Sequence, residues 1–162
     1  MQRLGADDAP DESGETYEDN ARLKARSCRP LAPPDAWVLG EDSGIEVAAL
    51  HWGPGARSAR WSEHPVQELL AELESVSDRR ARYRSTIVAV GPDNRELVVT
   101  GGLVGSIARE ERGSEGFGYD PVFVPEGETR TVAELGNEWK RTNSHRARAA
   151  AALRAELARG RR

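Results

Sequence analysis

Apolar positions along the chain change their spacing several times, and each change marks an element. From about Tyr17 to Cys28 the sequence predicts a helix, with Thr16 as its cap, Asp19 three positions on, and Pro33-Pro34 forcing its end. Asn20 and Lys24, four apart, point from one face of that helix. Trp37-Val38-Leu39 reads as a buried strand ending at Gly40. Glu41-Asp42-Ser43-Gly44 follows as a polar turn, then Ile45 to Leu50 as a further extended segment. His51-Trp52-Gly53-Pro54-Gly55 predicts a loop. Beyond Pro65, residues Val66, Leu69, Leu70 and Leu73 fall on one helical stripe. Tyr83 to Val90 and Leu97 to Thr100, joined by Gly91-Pro92-Asp93-Asn94, predict a hairpin, which Leu103 to Ile107 extends past Gly101-Gly102. Val122-Phe123-Val124 is another strand, and Ser144 caps a last helix whose Ala147, Ala150, Leu153 and Leu157 are placed to pack. Residues 1–15 are polar and read as loop. With neither repeat nor linker, the pattern predicts one α/β domain over residues 1–162.

Composition narrows the function classes. A chain of 162 residues, 38% hydrophobic and 31% charged, fits one soluble domain with a real core. No apolar run approaches the ~20 residues needed to span a bilayer, and the N-terminus lacks the apolar stretch of a secretion signal. A single Cys28 forms no intrachain disulfide, so the expected compartment is the cytoplasm and no membrane partner is expected. A net charge of −4 argues against nucleic acid as the main partner. Arg154, Arg159, Arg161 and Arg162 make the C-terminal end basic, which suits a solvated helix end. Of 23 basic residues only Lys24 and Lys140 are lysines. An ammonium is a compact charge suited to a phosphate or a carbonyl oxygen, so both are candidate ligand contacts.

Chemistry gathers in three segments. Glu12-Ser13-Gly14 precedes the helix bearing Asn20 and Lys24. Glu12 there can ligate a divalent ion and Lys24 face a phosphate, or the carboxylate can simply complement the helix dipole. Glu41-Asp42-Ser43-Gly44 offers adjacent carboxylates suited to a hard cation, although neighbours in an extended chain point opposite ways. An ordinary acidic turn is the alternative. The third segment joins Gly116-Phe117-Gly118-Tyr119-Asp120-Pro121 to Lys140 and Ser144-His145-Arg146. Two glycines around an aromatic let backbone approach a planar ligand, with Phe117 or Tyr119 available to stack on a base. Lys140, His145 and Arg146 can donate to ring oxygens or phosphates.

Taken together, these motifs resemble the inosine/xanthosine triphosphate pyrophosphatases. The resemblance runs through residues 12–25, Glu41-Asp42-Ser43-Gly44, Gly53-Pro54-Gly55 with Ser58-Ala59-Arg60, Gly116 to Pro121, and Lys140 with Ser144-His145-Arg146, in the family's order. It covers about residues 11 to 158. It implies an α/β fold with a mixed, twisted sheet flanked by helices and a nucleotide cleft between two lobes. The implied activity is Mg²⁺-dependent cleavage of inosine, deoxyinosine and xanthosine triphosphates to monophosphate and pyrophosphate, by a homodimer. Asp42 then matches the proton acceptor, with Lys24 beside it as a catalytic cation. Glu12 and Asp42 match the Mg²⁺-associated carboxylates. Ser43 and Asn20 match substrate contacts, and Phe117, Gly118, Tyr119 and Asp120 the loop that holds nucleotide. Lys140, His145 and Arg146 match the contacts that favour a 6-oxo purine.

One departure stands against this. Nothing upstream of Glu12 supplies the family's opening strand and its Ser/Thr-x-Asn-x-x-Lys phosphate loop. Either the true start lies upstream of Met1, or the protein is short. A short chain leads to a second expectation, a catalytically impaired nucleotide-binding or dimerising relative that keeps the purine pocket.

Overall fold

A computed structural model describes residues 13–160. Thr16 starts α1 (Tyr17–Cys28) by accepting from the Asp19 backbone N–H at 3.1 Å. A strand β1 (Val38–Val47) follows, then the two-residue β2 (Gly53–Pro54), a 3₁₀ helix (Gly55–Arg60) and α2 (Pro65–Glu72). The hairpin of β3 (Arg80–Val90) and β4 (Glu96–Ile107) comes next, followed by β5 (Phe123–Pro125), α3 (Val132–Asn143) and α4 (His145–Arg159).

The five strands lie in the order β2-β1-β3-β4-β5. The α/β class stands, but every described pairing is antiparallel, where a mixed sheet is expected. The reason is connectivity. The chain between β1 and β3, although it contains α2, returns β3 alongside β1 in the opposite direction rather than making a parallel crossover.

The sheet separates two helical layers. Gly40, Asp42 and Gly44 share one face of β1, against α1, while Glu41, Ser43 and Ile45 share the other. Glycine at 40 is a matter of space, because a Cβ there would lie 1.9 Å from the Ala21 carbonyl oxygen of α1. Gly101 of β4 plays the same part for α4, where a Cβ would lie 2.2 Å from the His145 carbonyl oxygen. Ala21, Ala25, Val88 and Val90 fill the α1 side. On the other side Ile87, Ala89, Val99, Ala149 and Leu153 pack together. The main core, with Ile45, Leu69, Leu73, Tyr83, Leu103 and Phe123, continues from there under α2 and α3.

Two local expectations are corrected. Residues 41–44 form the middle of β1, not a turn, because their polar side chains find partners on both neighbouring layers. The buried stripe of α4 runs through His145, Ala149 and Leu153, and Ala150 faces solvent. Helix α3, for which the sequence pattern gives no prediction, begins with a full capping box, Thr131 with Glu134, and packs Val132 and Trp139 against the main core.

Candidate functional site

The strand β1 brings the candidate residues together by pointing them in opposite directions. On the α1 face, Asp42 is 5% exposed. Its Oδ1 accepts from Lys24 Nζ at 2.7 Å and its Oδ2 from Asn20 Nδ2 at 3.3 Å. Lys24 also donates to the Glu41 carbonyl oxygen at 3.1 Å. The four-residue spacing on α1 therefore does what one helical turn allows, delivering both side chains to a single carboxylate. Asn20 is itself fixed, since its Oδ1 accepts from the Gly14 N–H at 2.9 Å. A buried carboxylate held by an ammonium and an amide is compensated in charge and in hydrogen bonding, which such a group requires.

The other face carries a different cluster. Arg146, from the first turn of α4, donates through Nε to Glu41 Oε1 at 3.2 Å and through Nη2 to Ser43 Oγ at 2.8 Å. Ser85 of β3 donates to the same Glu41 oxygen at 2.7 Å. Sequence reasoning gave Glu41 no role of its own and missed Ser85, because these partners lie 44 and 105 residues away.

Next to Arg146 stands His145, 8% exposed and stacked on Tyr83 with ring centroids 4.6 Å apart. Burial, chiefly, and the neighbouring Arg146 and Lys140 hold its pKa down to about 4, against an opposing pull from Glu41. The ring is thus neutral near pH 7. Its Nδ1 is buried and has no hydrogen-bond partner among the described residues.

The loop of residues 116–121 closes over this side. Asp120 is buried and accepts from the Phe117 N–H at 2.8 Å, Lys140 Nζ at 2.5 Å and Tyr83 OH at 3.4 Å. It therefore organises the loop and anchors Lys140. Gly118 turns the loop at φ 58°, with nothing within 4 Å of where a Cβ would be, so it is the conformation that favours glycine. Phe117 is 64% exposed, with Lys140 Nζ 4.2 Å and the Arg146 guanidinium 5.3 Å from its ring centre. Both distances are those of cation–π contacts. Tyr119 departs from expectation. It is 6% exposed within the main core and donates to the Ser58 carbonyl oxygen at 3.3 Å, so it supports the loop from below. Burial raises its pKa to about 12. Phe117 is the loop aromatic open to a ligand.

The two faces meet at the edge of β1. Among the described residues β1 pairs, besides β3, with β2 at Glu46 and Val47, so no described strand flanks residues 41–43 on the outer side. Glu12 lies outside the described residues. Among the described residues, no group of three His, Cys, Asp or Glu side chains is arranged to hold a metal ion. Two open depressions stand out. One of about 460 Å³ lies along the far ends of β3 and β4, lined among others by Trp52, Arg82, Val104 and Glu126, and touches no candidate residue. The other, about 450 Å³, adjoins Gly14 at the start of α1. A cleft lined by the whole candidate set is not among them.

Residues from α1, β1, the 116–121 loop, α3 and α4 thus form one continuous constellation, in an order and spacing that can be compared with known chains. The profile of the Ham1 family matches residues 1–156. The chain belongs to the Ham1 family. A curated dITP/XTP pyrophosphatase of Symbiobacterium thermophilum is 48% identical, over 89% of this chain and 76% of its own length. Another, of Deinococcus deserti, is 43% identical over 94% and 74%. The solved structure of the Staphylococcus aureus Ham1 protein matches with a TM-score of 0.85 at 37% identity, covering 94% of this chain and 81% of that one. The Ham1 fold is therefore shared by sequence and by structure. Within it, β1 carries the Asp42 cluster on one face and the Arg146 cluster on the other.

Proposed function

We propose that this Ham1-family chain is a nucleoside-triphosphate pyrophosphatase that hydrolyses inosine, deoxyinosine and xanthosine triphosphates to the monophosphate and pyrophosphate. The observation that carries the reading is the Asp42 carboxylate, buried between Lys24 and Asn20 one residue from the strand face that holds Arg146. The names of the two relatives, dITP/XTP pyrophosphatase, support the same substrate class.

In this reading Asp42 takes the proton of the attacking water. An ionised carboxylate is an acceptor only, which suits it to take a proton. Lys24 and Asn20 fix the carboxylate, so it need not reorganise as charge moves, and placed charge is the main lever in phosphoryl transfer. Attack at the α-phosphorus forms a bond to the water oxygen and breaks the bond to the bridging oxygen, which leaves with pyrophosphate. A Mg²⁺ ion suits the site because Asp42 is a hard oxygen donor and this metal is held by one or two carboxylates plus phosphates, not by a protein cage. Asp42 and Glu12 would hold it, and it would supply charge neutralisation on the phosphates.

Base recognition falls to the opposite face. Phe117 offers its ring to the purine, and Lys140, Arg146 and neutral His145 surround the place of the 6-substituent. A 6-oxo group accepts from such donors, whereas an adenine amino group leaves them unmatched, and unmatched buried donors are costly. We assign the protein to the cytoplasm and to a homodimeric state on the same reading.

The test is pyrophosphate release from inosine triphosphate and adenosine triphosphate with Mg²⁺, for this chain and for Asp42→Asn. Release from the inosine nucleotide that is abolished by the variant is expected. Equal, negligible release in all four combinations overturns the reading.

A further inference from the structure

The depression of about 450 Å³ beside α1 has a chemistry that the proposed reaction has not used. Ser13, Gly14, Glu15, Arg57, Arg60 and Trp61 line it. Arg57 and Arg60 are three residues apart in the 3₁₀ helix, and at three residues per turn their side chains leave from the same face.

That helix is locked close to Asp42. Ser58 Oγ accepts from the Ile45 N–H at 2.9 Å and donates to the Gly55 carbonyl oxygen at 2.6 Å. A Cβ on Gly44 would lie 2.2 Å from that Gly55 oxygen, so backbone meets backbone there. Gly44 shares its face of β1 with Asp42, two residues away. From the other wall, Gly14 donates to Asn20, which donates to Asp42. Both walls of the depression thus lead to the Asp42 carboxylate through short, rigid links.

We propose that Arg57 and Arg60 form a polyphosphate subsite, taking the β- and γ-phosphates of the substrate and then the pyrophosphate product. The assignment rests on the hydrolase reading above. A triphosphate tail carries several negative charges. Lys24, Lys140 and Arg146 already face Asp42, Asp120 and Glu41, at 2.7, 2.5 and 3.2 Å, so much of their charge is met within the protein. Arg57 makes no ion pair with the described residues, and a guanidinium fork matches two phosphate oxygens at once. Glu15, the acidic lining residue, confines an anion to the arginine wall by like-charge repulsion.

Inorganic pyrophosphate is the probe, titrated calorimetrically into the full-length chain and into Arg57→Ala, Arg60→Ala, the double variant and Arg57→Lys. Removal of each arginine is expected to weaken pyrophosphate about tenfold, the equivalent of about 1.4 kcal/mol. KM for inosine triphosphate should rise while kcat changes little, inosine monophosphate inhibition should hold, and Arg57→Lys should recover part of the loss. Should Arg60→Ala fail to fold, Arg57→Ala against Arg57→Lys carries the comparison. Unchanged pyrophosphate binding in folded Arg57→Ala overturns the subsite, whether or not the chain is a hydrolase. Arginine-dependent pyrophosphate binding without any hydrolysis keeps the subsite and removes the hydrolase reading instead.

Discussion

The two faces of β1 solve different problems with similar residues. Toward α1, Asp42, Lys24 and Asn20 close on one another, and the carboxylate is almost wholly removed from solvent. Toward α4, Glu41 and Ser43 hold an Arg146 that remains open to solvent, beside an exposed Phe117 and a histidine nitrogen with no partner among the described residues. One face is a finished electrostatic unit that a reaction can rely on. The other is a half-satisfied surface that a ligand can complete. The alternation of side chains along a strand keeps them within one residue of each other without letting their charges merge.

The largest effect should come from disturbing the finished unit. Asp42→Asn keeps shape but removes the proton acceptor, and kcat should fall about 10³-fold, within the usual range for a positioned base. On stability, Lys24→Met should cost about 3 to 5 kcal/mol, because it leaves the buried Asp42 without its ammonium. Arg146→Met, across the strand, breaks a half-exposed pair with Glu41 and should cost less than about 1 kcal/mol. Denaturant midpoints of the two variants measure the contrast directly. If both cost the same, the two faces do not differ as described.

How much of this was legible depended on the distance between partners. Helix α1 was readable to the residue because its cap at Thr16 and its spaced Asn20 and Lys24 are local signals. The hairpin was readable because residues 91–94 turn the chain between two β-rich runs. The interior of β1 was not. Four polar residues in a row read as a turn unless one knows that Lys24 and Arg146, 18 and 103 residues away, will satisfy Asp42 and Ser43. For helix α3, Thr131 and Glu134 spell a capping box, but a glycine at 136, which takes φ 86°, reads as a break and weakens the signal of Val132 and Trp139. A loop sequence does not say which of Phe117 and Tyr119 turns inward.

The open face has its own signature in pH. Folding lowers the His145 pKa from 6.5 to about 4, chiefly by burial. The unfolded chain therefore takes up a proton that the folded chain refuses between these values, and stability falls as pH drops from about 6.5 to about 4. The ceiling for this contribution is about 3 kcal/mol. His145→Phe keeps a ring against Tyr83 and removes the titration, so its melting temperature should lose pH dependence in that window. An unchanged pH profile would assign the effect to other groups.

The smallest effect separates the two faces most finely. Glu41 contributes its backbone oxygen to Lys24 and its carboxylate to Arg146, so it belongs to both clusters. Glu41→Gln leaves the backbone contact untouched and exchanges an ion pair for a neutral hydrogen bond, which frees Arg146 to sample other positions. The preference for inosine over adenosine triphosphate should then drop a few-fold, about 1 kcal/mol of discrimination, through KM more than kcat. Glu41→Ala should do more, because Ser85 also loses its acceptor. A fall in kcat with specificity intact would place Glu41 with Asp42 in the reacting cluster, and the division of labour across β1 would have to be redrawn.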